Sequence, residues 1–442
     1  MTTQSSAADV AGGRGAGTVA ATLEPLFEKL FAGPAPVVFE FWDGSRLGDV
    51  GPGQLRMNRP EALQRIAWSP DELGMARAYV AGDVDIIGNV AEVLRALQQA
   101  VHGDIRVALA ALPDLLTAVR SAGRLARPAP PAEEIVPHGI RHSLRRDRET
   151  VSHHYDVGND FYELVLGPSM TYSCARFSEP DMTLEQAQAA KHELVCRKLG
   201  FAEHIDTPDG NQRRLRLLDV GCGWGSMAVH AATNYDVDVV GVTLSVEQAQ
   251  LARRRVDDLG LAERIDIRVQ DYREVTDGPF DAISSIGMAE HVGKRRMSGY
   301  FTHLHGLLRP GGRLLNHAIS SVGNSRLGRR SFVNRYVFPD GELLDVGLTA
   351  LLMERSGFEV RDVENLREHY ARTLRHWVAN LEHGWDTAVS LVGEARARVW
   401  LLYMSGSING FDDAGIQVMQ TLGVKLHPDG HSDMPPTRRD WH

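Results

Sequence analysis

The sequence predicts an α/β fold: a mostly parallel sheet with helices on both faces, preceded by a small α+β unit. Three observations carry this expectation. From about Val151 onward, short β-type runs alternate with helical patterns, and repeated strand–helix units build parallel sheets covered on both faces. The first of those runs leads straight into a glycine cluster, Gly221-Cys222-Gly223-Trp224-Gly225, at the sheet edge where ligands bind in such folds. A proline-clustered stretch, Ala122 to Pro137, separates this region from an earlier one, because prolines stop helices and favour extended chain.

Taken in order, residues 1–20 are rich in Ala, Gly and Ser and read as a disordered tail. Residues 21–121 read as the small unit. Leu23, Leu26, Phe27 and Leu30 recur at helical spacing, Val37 to Trp42 reads as a strand, and Asp43-Gly44 signals a hairpin turn. Ser69-Pro70 with Glu72 predicts a helix start, Ser capping and Pro in first position. Helical patterns continue over Val90–Val101 and Ile105–Val119. Residues 122–150 are a linker and basic segment, and 151–442 the larger domain. There, strands are expected at Arg216–Val220, Val237–Val242, Ile265–Val269, Phe280–Ile286 and Arg313–Ile319. Helices are expected at Trp224–Thr233 and Ser245–Leu259, the latter opened by a capping box of Ser245 and Gln248.

The bulk properties exclude several classes. The 442 residues are 43% hydrophobic and 24% charged, ordinary for a globular protein. The formal charge, 48 − 57 = −9, argues against nucleic-acid binding by bulk charge. Three cysteines, Cys174, Cys196 and Cys222, form no CxxC pair, so no metal site or disulfide framework is expected. No signal peptide and no apolar run of about 20 residues is seen, which leads us to expect a cytoplasmic protein.

The glycine cluster lets the backbone turn sharply at the amino end of a helix and approach a ligand closely. Its spacing is GxGxG, and the next strand ends in Gly241-Val242-Thr243-Leu244-Ser245, without the acid that holds ribose in dinucleotide sites. That argues against NAD, while glycines kept for tight packing remain an alternative. Asp271 and Tyr272, after the third strand, suit an adenine amino group and ring face; Asp271 also suits a helix cap.

Val151 to about Tyr403 resembles the cyclopropane-fatty-acyl-phospholipid synthase family, which includes the mycolic acid cyclopropane synthases. The matching stretches are residues 154–162 (HYDVGNDFY), 170–175 (MTYSCA), 218–225 (LDVGCGWG), 242–248 (VTLSVEQ), 287–293 (GMAEHVG), 316–319 (NHAI), 336–339 (YVFP) and 369–371 (HYA). The first unit resembles the small lipid-binding domain of the phospholipid-acting members. One departure is Ser226, where many relatives have glycine; it should affect packing more than chemistry.

The resemblance implies a class I methyltransferase (Rossmann-like) fold that binds S-adenosylmethionine through Tyr172, Ser173, Asp219, Gly221, Gly223, Thr243, Leu244, Gln248, Asp271 and Tyr272. It also implies a bicarbonate ion held by Cys174, Glu290, His317, Ile319 (through its backbone) and Tyr370. Singly, Cys174 reads as a small buried hydrophobe, Glu290 as loop surface and His317 as a core histidine; their joint occurrence favours a site. The implied reaction adds a carbon to the cis double bond of an unsaturated phospholipid acyl chain, giving a cyclopropane. A methylene or methyl-branched product with a partner reductase is the alternative. Tyr155, Phe161, Tyr162 and Tyr172 are candidates to stabilise the cation involved. A vestigial lipid-transfer protein and a small-molecule methyltransferase are less well matched. Expected partners are a phospholipid membrane surface, bound peripherally at the inner face of the plasma membrane, with a homodimer compatible and nucleic acid excluded. Basic clusters at Arg141/Arg145/Arg146/Arg148, Lys294/Arg295/Arg296 and Arg326/Arg329/Arg330 suit that surface. The last adjoins Phe332, Tyr336, Val337 and Phe338, so residues 322–339 are expected to form a membrane-facing lid.

Overall fold

A computed structural model describes residues 17–31, 33–100, 127–135, 146, 157–202, 213–323, 325, 328 and 330–441. Most of the expected tail, the helix Ile105–Val119, most of the linker, and residues Arg141, Arg145, Arg148, Tyr155, Arg326 and Arg329 lie outside the described residues. The chain divides into two compact units. One comprises Met1–Glu134 with Arg330–Phe332 and Ala395–Gly406; the other comprises Ile135–Arg329, Val333–Glu394 and Ser407–His442.

In the first unit, α1 (Val19–Phe31) buries Ala20, Leu23 and Leu26, as the helical spacing predicts. Strands β1 (Val38–Glu40), β2 (Arg46–Leu47), β3 (Gly53–Met57) and β4 (Val84–Gly88) form a sheet in the order β2-β1-β3-β4. The hairpin expected at Asp43-Gly44 joins β1 to β2, with Phe41 N donating to Ser45 O at 2.9 Å. Helices α2 (Glu61–Trp68), α3 (Glu72–Val80) and α4 (Val90–Ala100) are among the described helices of the unit. The cap of α3 differs from expectation. Ser69 closes α2, and Asp71 caps α3 by accepting from Gly74 N. A carboxylate one residue from the first turn is the stronger acceptor, and Ser69 Oγ donates to it at 2.6 Å.

The second unit is built on an eight-stranded sheet. Its strands are β5 (Leu215–Val220), β6 (Val237–Thr243), β7 (Ile265–Val269), β8 (Phe280–Ile286), β9 (Leu308–Ser321), β10 (Leu344–Asp345), β11 (Phe358–Asn365) and β12 (Ile416–Lys425). The order is β11-β12-β9-β8-β5-β6-β7, with β10 beside β9. Strands β5 to β9 run parallel, as expected, whereas β12 pairs antiparallel with both β9 and β11. After α5 (Asn159–Leu166), one face carries α6 (Leu184–Lys198), α7 (Ser226–Asn234) and α8 (Val246–Asp258); α9 (Ala289–Val292), α10 (Met297–Leu307), α11 (Phe332–Tyr336), α12 (Val346–Arg355), α13 (Arg367–His383), α14 (Trp385–Val392) and α15 (Glu394–Asp412) follow in the chain, α15 belonging for the most part to the first unit. Two apolar cores flank the sheet: Leu217, Val239, Ile267 and Leu315 with α6–α8 on one side, Leu218, Val240, Ile283 and Leu314 with α10 on the other. Successive strand residues alternate between them. Both faces being covered explains why β5, β6 and β8 read as near-continuous apolar runs.

Candidate active site

The glycine loop is set by the ends of β5 and β6. Gly221 N and Cys222 N both donate to Val242 O, at 2.9 and 3.0 Å. Gly221 and Gly223 have φ of +77° and +55°, a region that side chains disfavour. At Gly221 a Cβ would also meet Met288 at 3.0 Å. Arg255 of α8 braces the loop, donating to Trp224 O at 2.8 Å and Ser169 O at 3.2 Å. Ser226 Oγ donates to Ser169 O at 2.6 Å, so this departure from glycine ties α7 to the segment leading to Tyr172.

Around the loop, the expected cofactor residues occupy the carboxyl edge of the sheet. Asp219 is buried, accepts from Ser284 Oγ at 2.7 Å, and is pushed up to about 6 by burial, against that hydrogen bond and the nearby Lys191 ammonium. Thr243 Oγ1 donates to Gln248 Oε1 at 2.8 Å, leaving the Gln248 amide nitrogen as a donor. This corrects the expected capping box. Ser245 does cap α8 through Gln248 N, but the Gln248 side chain bonds Thr243 instead of returning to the cap. Asp271 is buried, caps the following turn through Arg273 N, and pairs with the Arg273 guanidinium at 2.6 Å; its capping role is therefore realised. The Tyr272 ring lies edge-on to Tyr300. Leu244 is half-buried. Ser173 Oγ accepts from the buried Lys191 Nζ at 3.0 Å. Burial lowers that lysine to about 7, with Cys174 and Asp219 opposing.

The five residues expected to hold an anion fall into two linked groups. Cys174 is fully buried, its thiol 3.6 Å from Leu366 O, the carbonyl that also accepts from Tyr370 N at 3.1 Å. Burial pushes this thiol far up, so it stays protonated and is no nucleophile. In the other group, Glu290 Oε1 accepts from Ile319 N at 2.7 Å. Its Oε2 is closed to solvent and has no partner among the described residues. Burial raises this carboxyl to about 7, opposed by the Ile319 hydrogen bond. A cavity of about 20 Å³, large enough for a water, borders Glu290, Asn316, Ile319 and Thr421. His317, two residues before Ile319 on β9, is buried and pushed down to about 3, first by burial and then by Lys191 and Lys198. Its Nδ1 meets Gln420 at 3.3 Å, and its Nε2 has no partner among the described residues.

A row of rings joins the glycine loop to Tyr370. Centroid separations run Trp224–Tyr162 4.7 Å, Tyr162–Tyr172 5.7 Å, Tyr172–Trp377 5.4 Å, Trp377–Tyr370 6.1 Å and Tyr370–Phe411 4.7 Å. Tyr162 and Tyr172 were anticipated; Trp377 and Phe411, on helices for which the sequence raised no expectation, were not. Nor were Lys191, Lys198 and Gln420, which carry no motif.

Both expected groups fit these residues. The left-handed glycines form a cradle in which a Cβ at Gly221 would collide. His317 Nε2 and Glu290 Oε2, both buried without partners among the described residues, offer one nitrogen and one oxygen to an ion that both donates and accepts, as hydrogencarbonate does. The Ile319 amide differs from expectation in being engaged by Glu290.

The described residues of the expected lid do not present an apolar surface to a membrane. Phe332, Tyr336 and Val337 are buried, because apolar side chains beside the basic residues find protein to pack on. Arg330 pairs with Asp71 at 3.3 Å and Arg146 with Asp340 at 2.5 Å. By contrast Lys294, Arg295 and Arg296 are all exposed, four to six residues from Glu290 in the chain. No described helix is long and apolar enough to cross a membrane.

Residues 142–421 match the family model described as mycolic acid cyclopropane synthetase. A probable fatty acid methyltransferase of Mycobacterium tuberculosis is 42% identical over 423 residues, 92% of this chain and 95% of its own. The cyclopropane-fatty-acyl-phospholipid synthase of Escherichia coli K12 is 36% identical over 269 residues, 61% of this chain and 66% of its own. A crystal structure of mycolic acid cyclopropane synthase CmaA1 complexed with SAH and CTAB superposes with a TM-score of 0.57 at 34% identity, covering 62% of this chain and 98% of that one. The chain belongs to the mycolic acid cyclopropane synthetase family and is an S-adenosylmethionine-dependent methyltransferase of the cyclopropane synthase type.

Proposed function

We propose that the chain adds a methylene carbon from S-adenosylmethionine to the cis double bond of an unsaturated phospholipid acyl chain, forming a cyclopropane. One observation carries this reading: a glycine loop is joined by a row of aromatic rings to Tyr370, in the same domain as Glu290 and His317, whose buried Oε2 and Nε2 have no partner among the described residues. An isolated alkene is a weak nucleophile, so S-adenosylmethionine would supply a sulfonium methyl as electrophile and bicarbonate would supply the base. Tyr172, Ser173, Asp219, Gly221, Gly223, Thr243, Leu244, Gln248, Asp271 and Tyr272 would hold the cofactor. A positive charge then develops on the acyl chain, and loss of a proton from the added methyl closes the ring. The rings of Tyr162, Tyr172 and Trp377 stabilise that charge without reacting with it, and burial keeps out water that would capture it. His317 would donate to the bicarbonate anion, Glu290 would accept from it, and Tyr370, Cys174 and Ile319 would help to hold it.

The small first unit, placed at residues 21–121, is a lipid-binding domain in this reading, residues 122–150 a linker, and 151–442 the catalytic domain. Lys294, Arg295 and Arg296 dock the enzyme peripherally on anionic lipid at the cytoplasmic face of the membrane. A hydride shift in the same cation, before proton loss, would leave a methylene branch for a partner reductase. The Mycobacterium tuberculosis relative, named for fatty acid methyl transfer, favours keeping this second product. The substrate is tested by supplying the enzyme with S-adenosylmethionine and the same monounsaturated chain as phospholipid vesicles or as free fatty acid. Product from the vesicles is expected; product from the free acid alone would contradict the phospholipid assignment.

A further inference from the structure

We infer that Gln420, itself oriented by Lys198, is a positioning residue that holds His317 with its proton on Nε2, aimed at the bound anion. The inference rests on the reading of His317 as an anion donor given above. Its basis is a polar row across three neighbouring strands. The register of β11 and β12 sets Glu364 opposite Gln420, and that of β12 and β9 sets Gln420 opposite His317. Residues opposite one another in antiparallel pairs share a face and lie within about 5.5 Å. Lys198, the last residue of α6, lies on this row. Its Nζ contacts Glu364, Asp362 Oδ2 at 3.0 Å and Gln420 Oε1 at 2.9 Å. Lys198, Gln420 and His317 are 1%, 0% and 2% exposed, so each polar atom must find a directed partner.

The direction of every bond in the row follows from what each group can do. An ammonium only donates, so the Gln420 atom beside Lys198 is its carbonyl oxygen. The amide nitrogen therefore faces His317 Nδ1, at 3.3 Å. That nitrogen too only donates, so Nδ1 must present its lone pair. A neutral imidazole then carries its proton on Nε2, the atom with no partner among the described residues. Burial and the two lysine charges keep the ring neutral. Neutralising Lys198 would need Asp362 and Glu364 alone; nothing in that structural task requires an amide turned toward His317.

The test reads the tautomer directly, from ¹⁵N spectra of histidine-labelled protein, with the His317 signals assigned by their loss in His317→Gln. The expected wild-type pattern is a protonated Nε2 and a bare Nδ1. In Gln420→Glu, a carboxylate replaces the donor, and the proton is expected to move to Nδ1 or the ring to become cationic. With that change kcat should fall about 100-fold, the size seen when one charge-stabilising donor is lost, while KM for S-adenosylmethionine stays unchanged. Gln420→Met, which keeps the length and removes both bonds, should give mixed tautomers and an intermediate loss. A wild-type proton on Nδ1 overturns the inference without reference to any variant, as do variants with unaltered tautomer and kcat. A wild-type enzyme with protonated Nε2 that modifies no lipid would instead refute the functional reading.

Discussion

Glu290 shows at the scale of one residue how function and stability oppose each other. Its carboxyl is held at about 7 by burial, above the ordinary value of about 4.3. As pH rises through that interval the unfolded chain ionises while the native carboxyl resists, so stability is full below the unfolded pKa and is lost as pH rises through 7. Glu290→Gln should therefore stabilise the fold by about 4 kcal/mol at pH 8, with almost no gain at pH 4, read from denaturant midpoints. The same variant should lose turnover at least 100-fold while binding cofactor normally; full activity would reject the role given to the carboxylate. Trp377→Leu should lower kcat about 10-fold, the scale of one desolvated cation–π contact, with cofactor affinity unchanged. Residues such as Glu290 and His317 were legible because they stand in dense motifs. Trp377 and Gln420 were not, because a lone aromatic on a helix or a lone amide on a strand reads the same whether it packs a core or serves a site.

Among the elements, the parallel strands β5 to β8 were legible nearly to the residue, since short β-type runs, near-continuous in β6 and alternating in β7, end at glycine or polar turns. Strand β12 was missed. Its sequence, IQVMQTLGVK, is broken by Gln420 and Thr421, and those interruptions are polar groups buried beside His317 and Asn316. Strand β11 was missed as well, because Glu359, Arg361 and Glu364 give it a surface composition. At the glycine loop, Gly221→Ala would combine a left-handed φ with a 3.0 Å approach to Met288. It should weaken cofactor binding at least 10-fold while leaving the fold intact by circular dichroism, the strain being about 1–2 kcal/mol. Between α9 and α10, replacing Lys294, Arg295 and Arg296 by Glu should reduce binding to anionic vesicles about 100-fold, at about 1 kcal/mol per lost charge. Unchanged binding would remove this turn from the docking surface.

For the whole molecule, a net charge of −9 coexists with a function that we place at an anionic surface, so attraction must come from local charge and should fade with added salt. Transfer of one carbon to a lipid double bond is tested most directly by following that atom. Enzyme is incubated with S-adenosylmethionine carrying ¹³C in its methyl group and vesicles of monounsaturated phospholipid. The fatty acids are then released and examined by carbon and proton NMR. Mass alone would not serve, because cyclopropane and methylene products are isomers. Label is expected in a cyclopropane ring carbon; label in a methylene branch would select the second product, and no label in any released fatty acid would contradict carbon transfer to the lipid.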